Sequence, residues 1–285
     1  MTDLSKLYMP ITSDPFERSE SYTEILPSTA LKPYIRCFWG TPQPVRKAHY
    51  SRLVIPDTCM DIIFRITDTM ESVSFCPIDE ASRLSPCTVT EEKYTVFGVR
   101  FYPWSAAAFA EYHDINVSSS RPEELFPRLI QKLNEIIKRE STLEARARAA
   151  ESEILSFLCT ENQHPDVMNA LYYTLTSHGN VKISDLTAYT ALSVRSLQRH
   201  FASQTGISPK ALCSLIRYQL LWQEIALGNG TALLDAVEKY GYYDQAHLLN
   251  DFRKRHLMSP AEAIKYLSDR KNCRIFPIQA PKAML

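Results

Sequence analysis

The chain has 285 residues, which is enough for two domains that each bury a core of their own. Its apolar fraction of 45% and charged fraction of 22% are typical of a globular protein, and it has no apolar run of the roughly 18 residues that a membrane-spanning helix needs. The 32 basic and 32 acidic residues balance, so net charge does not indicate nucleic acid and charge has to be examined locally.

Several classes of chemistry lack their sequence signatures. The seven glycines form no phosphate-binding loop, and neither a nucleophile elbow nor a metal-binding spacing of histidines is present. We therefore expect no enzyme activity, no cofactor and no bound metal. The first residues are polar and acidic, which argues against a secretory signal and favours the cytoplasm.

The seven cysteines are scattered, and none of them forms a C-x-x-C pair. In the cytoplasm such cysteines are mostly reduced, buried thiols. One alternative is a redox or metal sensor that uses Cys76 and Cys87. Another is an enzyme-like sensor or repair domain with a reactive thiol at Cys59 or Cys76.

Residues 1–20 contain scattered polar residues and two prolines, and we expect a poorly ordered lead-in. Between residues 21 and 118, short runs rich in β-branched and aromatic residues alternate with turn residues. These runs are 34–39, 52–55, 60–66, 72–75 and 94–101. The pattern predicts a β-rich domain built on an antiparallel sheet or partial barrel.

Helical patterns follow the last of these runs. Ser105 is a candidate N-cap for a short helix over 105–112. Farther along, Leu129, Leu133 and Ile136 recur at helical spacing. We interpret residues 119–164 as a helical linker and a candidate dimerisation region, with polar residues up to Pro165 marking a domain boundary.

An internal repeat with a spacing of 51 residues organises the segment 165–267. The matching pairs are Leu186 with Val237, Tyr189 with Tyr240, Leu192 with Tyr243, Leu197 with Leu248, Phe201 with Phe252, and Ser208-Pro209 with Ser259-Pro260. Each copy reads as a short helix, a tight turn, and a second helix capped by Ser193 or Asp244. This order predicts two helix-turn-helix units, followed by a C-terminal tail over 268–285.

The residues that face outward on each second helix are of types that read bases. Arg suits guanine, Gln and Asn suit adenine, and an Ala methyl group suits the thymine methyl group. The candidate base contacts are Arg195, Gln198 and Arg199 in the first copy and Gln245, Ala246, His247 and Asn250 in the second, with His200 a further outward position in the first. The candidate phosphate contacts are Ser193, Lys210, Arg253, Lys254 and Arg255. Residues 180–267 include ten basic and seven acidic side chains, so the basic excess lies where DNA is expected.

The segment from about 166 to 267 resembles the AraC/XylS family of bacterial transcription regulators. The resemblance rests on ISDLTAYTALSVRSLQRHFASQTGISP and on LLDAVEKYGYYDQAHLLNDFRKRHLMSPAEAI. It implies two helix-turn-helix units joined by a long helix over about 209–227, with each second helix in the major groove of double-stranded DNA. It also implies activation through RNA polymerase. The family usually has Gly where this chain has Leu257, and Glu238 and Asp251 add acid that we expect to weaken DNA binding by the second unit.

The segment from about 20 to 160 resembles, more loosely, the sensor region of some of these regulators, through residues 54–64 and 98–107. The resemblance implies a module that binds a small-molecule effector or forms a homodimer. Polar groups among aromatic side chains suit such a ligand, and the candidate pocket residues are Asp61, Arg100, Tyr102 and Trp104. The alternative is that Tyr102 and Trp104 belong to the core and Arg100 is a surface charge.

The sequence thus predicts an α+β protein in which a β-rich sensor or dimerisation domain with a helical extension precedes an all-α domain of two helix-turn-helix units. The predicted function is that of a cytoplasmic, sequence-specific regulator, an activator that responds to a small molecule or another signal. Two alternatives remain open: control by a protein partner through residues 120–160, and control by cysteine oxidation.

Overall fold

A computed structural model describes residues 3–11, 22–44, 51–79, 83–86, 93–111, 121–226 and 233–269. It has the predicted α+β architecture: a β-rich N-terminal part is followed by helices that pack on it and then by an all-α C-terminal part. The C-terminal tail over 268–285 falls almost entirely outside the described residues, as do Cys87 and Cys273.

The main sheet has five antiparallel strands in the spatial order β1-β2-β7-β4-β5. The strands are β1 (Thr23–Ile25), β2 (Ile35–Gly40), β3 (Ser51–Val54), β4 (Met60–Thr67), β5 (Glu71–Cys76), β6 (Arg83–Pro86) and β7 (Tyr94–Phe101). Strands β3 and β6 form a separate antiparallel pair. All five predicted runs coincide with strands. The short β1 and β6 were not predicted, because β1 has only three residues and β6 has a single large apolar residue and ends in Pro86.

Strand β7 lies in the middle of the sheet, between β2 and β4. Its apolar residues Phe97, Val99 and Phe101 are fully buried. Between them, Gly98 faces Trp39 of β2, and a Cβ atom on Gly98 would lie 2.3 Å from the indole. The glycine is therefore what lets the Trp39 ring lie flat on the central strand.

Four helices follow the sheet: α1 (Ala106–Phe109), α2 (Pro122–Leu125), α3 (Pro127–Arg139) and α4 (Leu143–Ser156). Helices α3 and α4 pack on each other, α4 contacts β2, and their apolar residues join the core of the sheet. The interpretation of residues 119–164 as a linker was therefore wrong for α2 to α4. The helical pattern was correct, but its apolar face covers the sheet.

The N-terminal segment 3–11 also differs from the prediction. It forms a 3-10 helix over Leu4–Lys6, whose cap Asp3 accepts from the Ser5 amide, and its side chains Leu4, Tyr8 and Ile11 are at most 4% exposed. A disordered lead-in was predicted from polar composition, but these three apolar residues are enough to anchor the segment on both parts of the molecule.

The C-terminal part consists of seven helices among the residues described: α5 (Pro165–Thr176), α6 (Ile183–Thr190), α7 (Val194–Thr205), α8 (Pro209–Ala226), α9 (Leu233–Lys239), α10 (Gln245–His256) and α11 (Pro260–Asp269). The pairs α6–α7 and α9–α10 are the two helix-turn-helix units. The 18-residue α8 joins them, as the resemblance implied.

The buried apolar residues form two clusters. The first runs without interruption from the sheet through α3 and α4 into α5, α7 and the beginning of α8. The second lies under α10 around Tyr218, Trp222 and Phe252, and Ile11 and Ile55 from the N-terminal part belong to it. The first helix-turn-helix unit therefore shares a core with the sheet, whereas the second contacts the N-terminal part through Ile11 and Ile55.

Candidate nucleic-acid interface

Helix α7 presents a polar row because its apolar residues are spaced by four. The Ser193 hydroxyl caps the helix by accepting a hydrogen bond from the Ser196 amide at 3.2 Å. Leu197 and Phe201 are fully buried. This orientation exposes the three predicted base contacts of the first unit, which are Arg195, Gln198 and Arg199.

Helix α10 repeats the arrangement. Asp244 caps it by accepting from the His247 amide at 2.7 Å, and Leu248 and Phe252 are fully buried. The four predicted base contacts, Gln245, Ala246, His247 and Asn250, are all exposed. The structure thus places the candidate base contacts of each unit on one solvent-facing side of the second helix. We call these two second helices, α7 and α10, the reading helices, and their units the reading units.

The second helix of each unit ends at a residue whose backbone is in the left-handed conformation. Gly206 ends α7 with φ 78°, and Leu257 ends α10 with φ 63°. The amide of each residue donates back to the carbonyl four residues earlier. Replacement of the usual glycine by Leu257 therefore does not change how the helix ends, but it puts a branched side chain where L-residues are strained.

Three of the predicted phosphate contacts are exposed cations, namely Lys210, Arg253 and Lys254. Ser193 is also exposed, although its hydroxyl is engaged in the cap. Arg255 is different, because it is only 4% exposed. Its guanidinium donates to Asp251 at 3.1 Å and to the Ser214 hydroxyl at 2.9 Å. The prediction that Arg255 contacts phosphate was therefore wrong, since its charge is neutralised inside the domain.

The same contacts correct the expectation for Asp251. This carboxylate binds Arg255 and also accepts from the Tyr242 hydroxyl at 3.3 Å. It therefore links α10 to α8 and to the turn of the second unit instead of repelling DNA.

His256 is a structural residue that the sequence did not single out. It is 1% exposed, its Nδ1 lies 2.7 Å from the Tyr218 hydroxyl, and its ring stacks on Phe252. Burial lowers the pKa of His256 to about 4, so the ring is neutral at neutral pH.

Tyr243 is an exposed residue of this unit that the sequence pattern did not indicate as a candidate contact. It stands in the turn directly before α10 and is 90% exposed, while its amide donates to Nδ1 of His247 at 3.3 Å. A large aromatic residue immediately before the cap of a reading helix was the signal that could have identified it.

The four candidate pocket residues of the sheet are all buried. Arg100 donates to both carboxylate oxygens of Asp61 at 2.8 Å, and Asp57 lies 3.5 Å from the same guanidinium. All three side chains are largely buried, and burial raises the pKa of Asp57 to about 7 against the opposing effect of Arg100. The cluster is an internal ion-pair network, so the alternative of Arg100 as a surface charge was also wrong.

Tyr102 and Trp104 belong to the core, as the alternative interpretation held. Their rings stack at 4.6 Å, and the Trp104 indole donates to the Pro33 carbonyl at 2.9 Å. Two grooves lie elsewhere among the described residues. One of about 450 Å³ is bordered by Phe109, Arg128 and Cys159, and the other lies between β5 and α2.

The five described thiols differ in exposure, since Cys76 and Cys159 are partly exposed and the other three are buried. Cys37, Cys59 and Cys213 are buried, and burial raises the pKa of each thiol above its ordinary value. Among the residues described, no group of three or more His, Cys, Asp and Glu side chains is arranged to hold a metal ion. In the same part of the chain, no helix is both long enough and apolar enough to cross a membrane.

Comparison with known families matches two parts of the chain. Residues 186–266 match a family described as a helix-turn-helix domain, and residues 23–117 match a family described as a domain of unknown function. No curated protein matches the sequence.

Among solved structures, the chain is similar to several of ToxT from Vibrio cholerae. ToxT from strain O395 is 12% identical, with a TM-score of 0.39 over 81% of this chain and 98% of that one. ToxT from strain SCE256 with an unsaturated fatty acid bound is 11% identical, with a TM-score of 0.40 over 89% and 98%. The O395 protein bound to (E)-4-(8-methylnaphthalen-1-yl)but-3-enoic acid is 14% identical, with a TM-score of 0.39 over 87% and 100%.

The family match over 186–266 covers α7 to α10, which carry the two capped second helices and the long helix between them. Within the second stretch that carries the resemblance, Gly241 to Leu248 form the turn before α10 and the first residues of α10. Residues 186–266 therefore belong to a helix-turn-helix domain family, the kind of domain that the resemblance to AraC/XylS regulators implied for this segment.

Proposed function

We propose that this protein is a sequence-specific activator that binds two neighbouring major-groove sites through α7 and α10. The observation that carries the proposal is the repeated geometry of the two helices. Each has a capped N-terminus, two fully buried apolar residues, and an exposed row of base-reading side chains. The operator then consists of two elements about one helical turn apart, roughly 10 base pairs from centre to centre.

Assignment of individual contacts follows from side-chain chemistry. Arg195 and Arg199 suit guanine, and Gln198, Gln245 and Asn250 suit adenine. Lys210, Arg253 and Lys254 suit phosphates, because a lysine or arginine near the groove edge gains affinity without reading sequence. The DNA-bound regulator would work in the cytoplasm and contact RNA polymerase.

Control by the N-terminal part is supported by its contacts with α8. The fully buried Gln219 accepts from the Ile11 amide at 3.0 Å and donates to the Pro56 carbonyl at 2.6 Å. Gln223 donates to the Met9 carbonyl at 2.7 Å. A small molecule or other signal that moves the N-terminal segment or the 55–58 loop would therefore move the helix that joins the two reading units.

The rival modes of control receive less support. Oxidation would need an accessible thiolate, and the buried thiols at Cys37 and Cys59 are held protonated, so this mode of control would have to use the partly exposed Cys76 or Cys159. A protein partner or a second copy of the chain would have to use the outer faces of α3 and α4, because their apolar faces already cover the sheet.

Selection of random duplex DNA by the full-length protein, followed by sequencing at two salt concentrations, tests the proposal. Two enriched elements about one turn apart are expected. A single short element would mean that the second unit contributes only backbone contacts. If neither the full chain nor residues 165–285 alone enriched any sequence, the proposal would be wrong.

Two variants test the contact assignments on the selected operator. Arg199→Ala should cost about 1–3 kcal/mol of binding free energy and relax the preference at one base. Lys254→Ala should weaken binding equally on all sequences and reduce the salt dependence. An equal loss on every sequence for Arg199→Ala, or a sequence-selective loss for Lys254→Ala, would contradict the assignments.

A further inference from the structure

Two histidines join the first reading helix to the segment that connects it with the sheet. His164 caps α5, and its ring lies 4.1 Å from the ring of His200 on α7. The amide of His164 donates to Gln204 of α7 at 3.0 Å. On the other side, Asn162 donates to the Ala110 carbonyl after α1 at 2.9 Å. His200 therefore packs on a segment that is fixed at both ends.

The His200 ring in turn contacts a candidate base-reading residue. Nη2 of Arg199 lies 3.1 Å from Nε2 of His200. A guanidinium can only donate hydrogen bonds, so Nε2 has to be the acceptor and the ring proton has to be on Nδ1. Nδ1 is buried and has no hydrogen-bond partner among the residues that the structure describes. The contact with Arg199 thus requires one tautomer of the neutral ring.

We propose that His200 is a positioning residue for Arg199: the neutral ring, held by His164, accepts a hydrogen bond from the guanidinium and orients it for guanine. The proposal rests on the proposed function in one respect, namely that Arg199 reads a base. A fixed guanidinium favours two parallel hydrogen bonds to guanine, because less side-chain freedom is lost on binding. Protonation of His200 replaces the acceptor by an N–H group and places a positive charge beside Arg199.

The charged surroundings of His200 set the direction of the pH effect. The groups that act on it are His164 and Asp166 from the start of α5 and Arg199 from α7 itself. Helix α1, which also packs on α7, contains only alanine and phenylalanine, and α6 and α8 place no charged group that acts on the ring. Burial, followed by His164 and Arg199, lowers the pKa of His200 below its ordinary value. The acceptor form therefore predominates at neutral pH and is lost on acidification.

The first test measures specificity against pH with the full chain. Operators selected by the wild type and by Arg199→Ala identify the base that Arg199 reads, and binding is then compared between the operator and a duplex changed at that base. Between about pH 7.5 and about pH 5, a range that extends well below the ordinary histidine pKa because that of His200 is lowered, the wild-type preference should fall on the order of tenfold.

Three variants separate positioning from mere packing. His200→Gln should keep the preference at both pH values, because its amide oxygen accepts without titrating, whereas His200→Ala should lack it at both. His247→Gln is the matched change on the second unit and should affect only the second element. If His200→Ala kept the wild-type preference, or if His200→Gln kept the wild-type pH profile, the proposal would be overturned.

A second test needs no DNA. Nitrogen-15 NMR of the histidine rings reports which nitrogen is protonated, and the Nδ1–H tautomer is expected for His200 at neutral pH. The Nε2–H tautomer would overturn the positioning role even if the wild type selects an operator. If the wild type selects no operator, the proposed function fails and the role of His200 in reading fails with it, whatever the tautomer.

Discussion

Leu257 stands at a helix end where the family usually has glycine. Its φ of 63° is in the left-handed region, and its side chain is 53% exposed, so little burial offsets the strain. Leu257→Gly should therefore stabilise the folded protein by about 1 kcal/mol, because glycine adopts this conformation without a steric penalty. Chemical denaturation, read as the free energy of unfolding, measures the change.

The equivalent position in the first unit provides the control. Gly206 ends α7 with φ 78°, and Gly206→Ala should destabilise by about 1 kcal/mol for the same reason. If both substitutions shifted the unfolding free energy in the same direction, the strain at Leu257 would not be the cause.

His256 makes the second unit sensitive to acid. Its pKa of about 4 is below the ordinary value of about 6.5, so between these two pH values the unfolded chain binds a proton that the folded chain does not. Stability attributable to this group is complete above about pH 6.5 and falls by up to about 1.4 kcal/mol per pH unit as pH decreases towards 4. His256→Gln should remove this part of the slope in unfolding curves measured from pH 7 to pH 4.5. An unchanged slope would mean that other groups dominate.

At the scale of elements, the second half of α10 separates two kinds of arginine. Arg253 is exposed, whereas Arg255 is buried between Asp251 and Ser214. Arg255→Ala leaves the buried Asp251 without its cation and should destabilise the protein by about 3 kcal/mol. Arg253→Ala should leave stability within about 0.5 kcal/mol of wild type and lower the salt dependence of DNA binding by about one charge. Thermal unfolding and salt titration of binding distinguish the two, and equal stability of the two variants would refute the buried pair.

The sequence predicts contacts within one helical turn, such as caps, but not contacts between helices that are far apart in the chain, such as that of Arg255. Ser193 and Asp244 were identified as caps because capping depends on residues within one turn. The burial of Arg255 depends on Ser214, which is 41 residues away and on another helix. A run of basic residues therefore predicts exposed cations correctly for Arg253 and Lys254 and wrongly for Arg255.

In the whole molecule, too, contacts between residues that are distant in the chain could not be predicted from the sequence. Residues 34–39 and 94–101 were predicted as strands from their own pattern, but their pairing as β2 and β7 joins residues 57 to 66 positions apart, from Gly40 with Phe97 to Ile35 with Phe101. Asp61 and Arg100 look like ligand-binding groups when they are considered singly, yet the pairing of β4 with β7 places them directly opposite each other. Partners of this kind are fixed by topology, which local patterns do not contain.

The N-terminal segment couples the two parts of the molecule through Gln219, and this coupling can be measured. Gln219→Leu removes the acceptor of the buried Ile11 amide and the donor to the Pro56 carbonyl. The amide and carbonyl of Ile11 and the carbonyl of Pro56 lose this partner, each at a cost of about 1–3 kcal/mol, unless the segment leaves α8 and becomes solvated. We therefore expect lower stability and much faster hydrogen exchange at the Ile11 amide.

Gln131→Leu, the same change on the exposed face of α3, is the control for added apolar surface and should leave the exchange of Ile11 unaffected. If Ile11 were as well protected in Gln219→Leu as in the wild type, the segment would be held by apolar contacts alone. Gln219 would then have no part in transmitting a signal to α8. Fast exchange together with an altered operator preference would instead connect the N-terminal segment to the arrangement of the two reading helices, because α8 is the element that joins them.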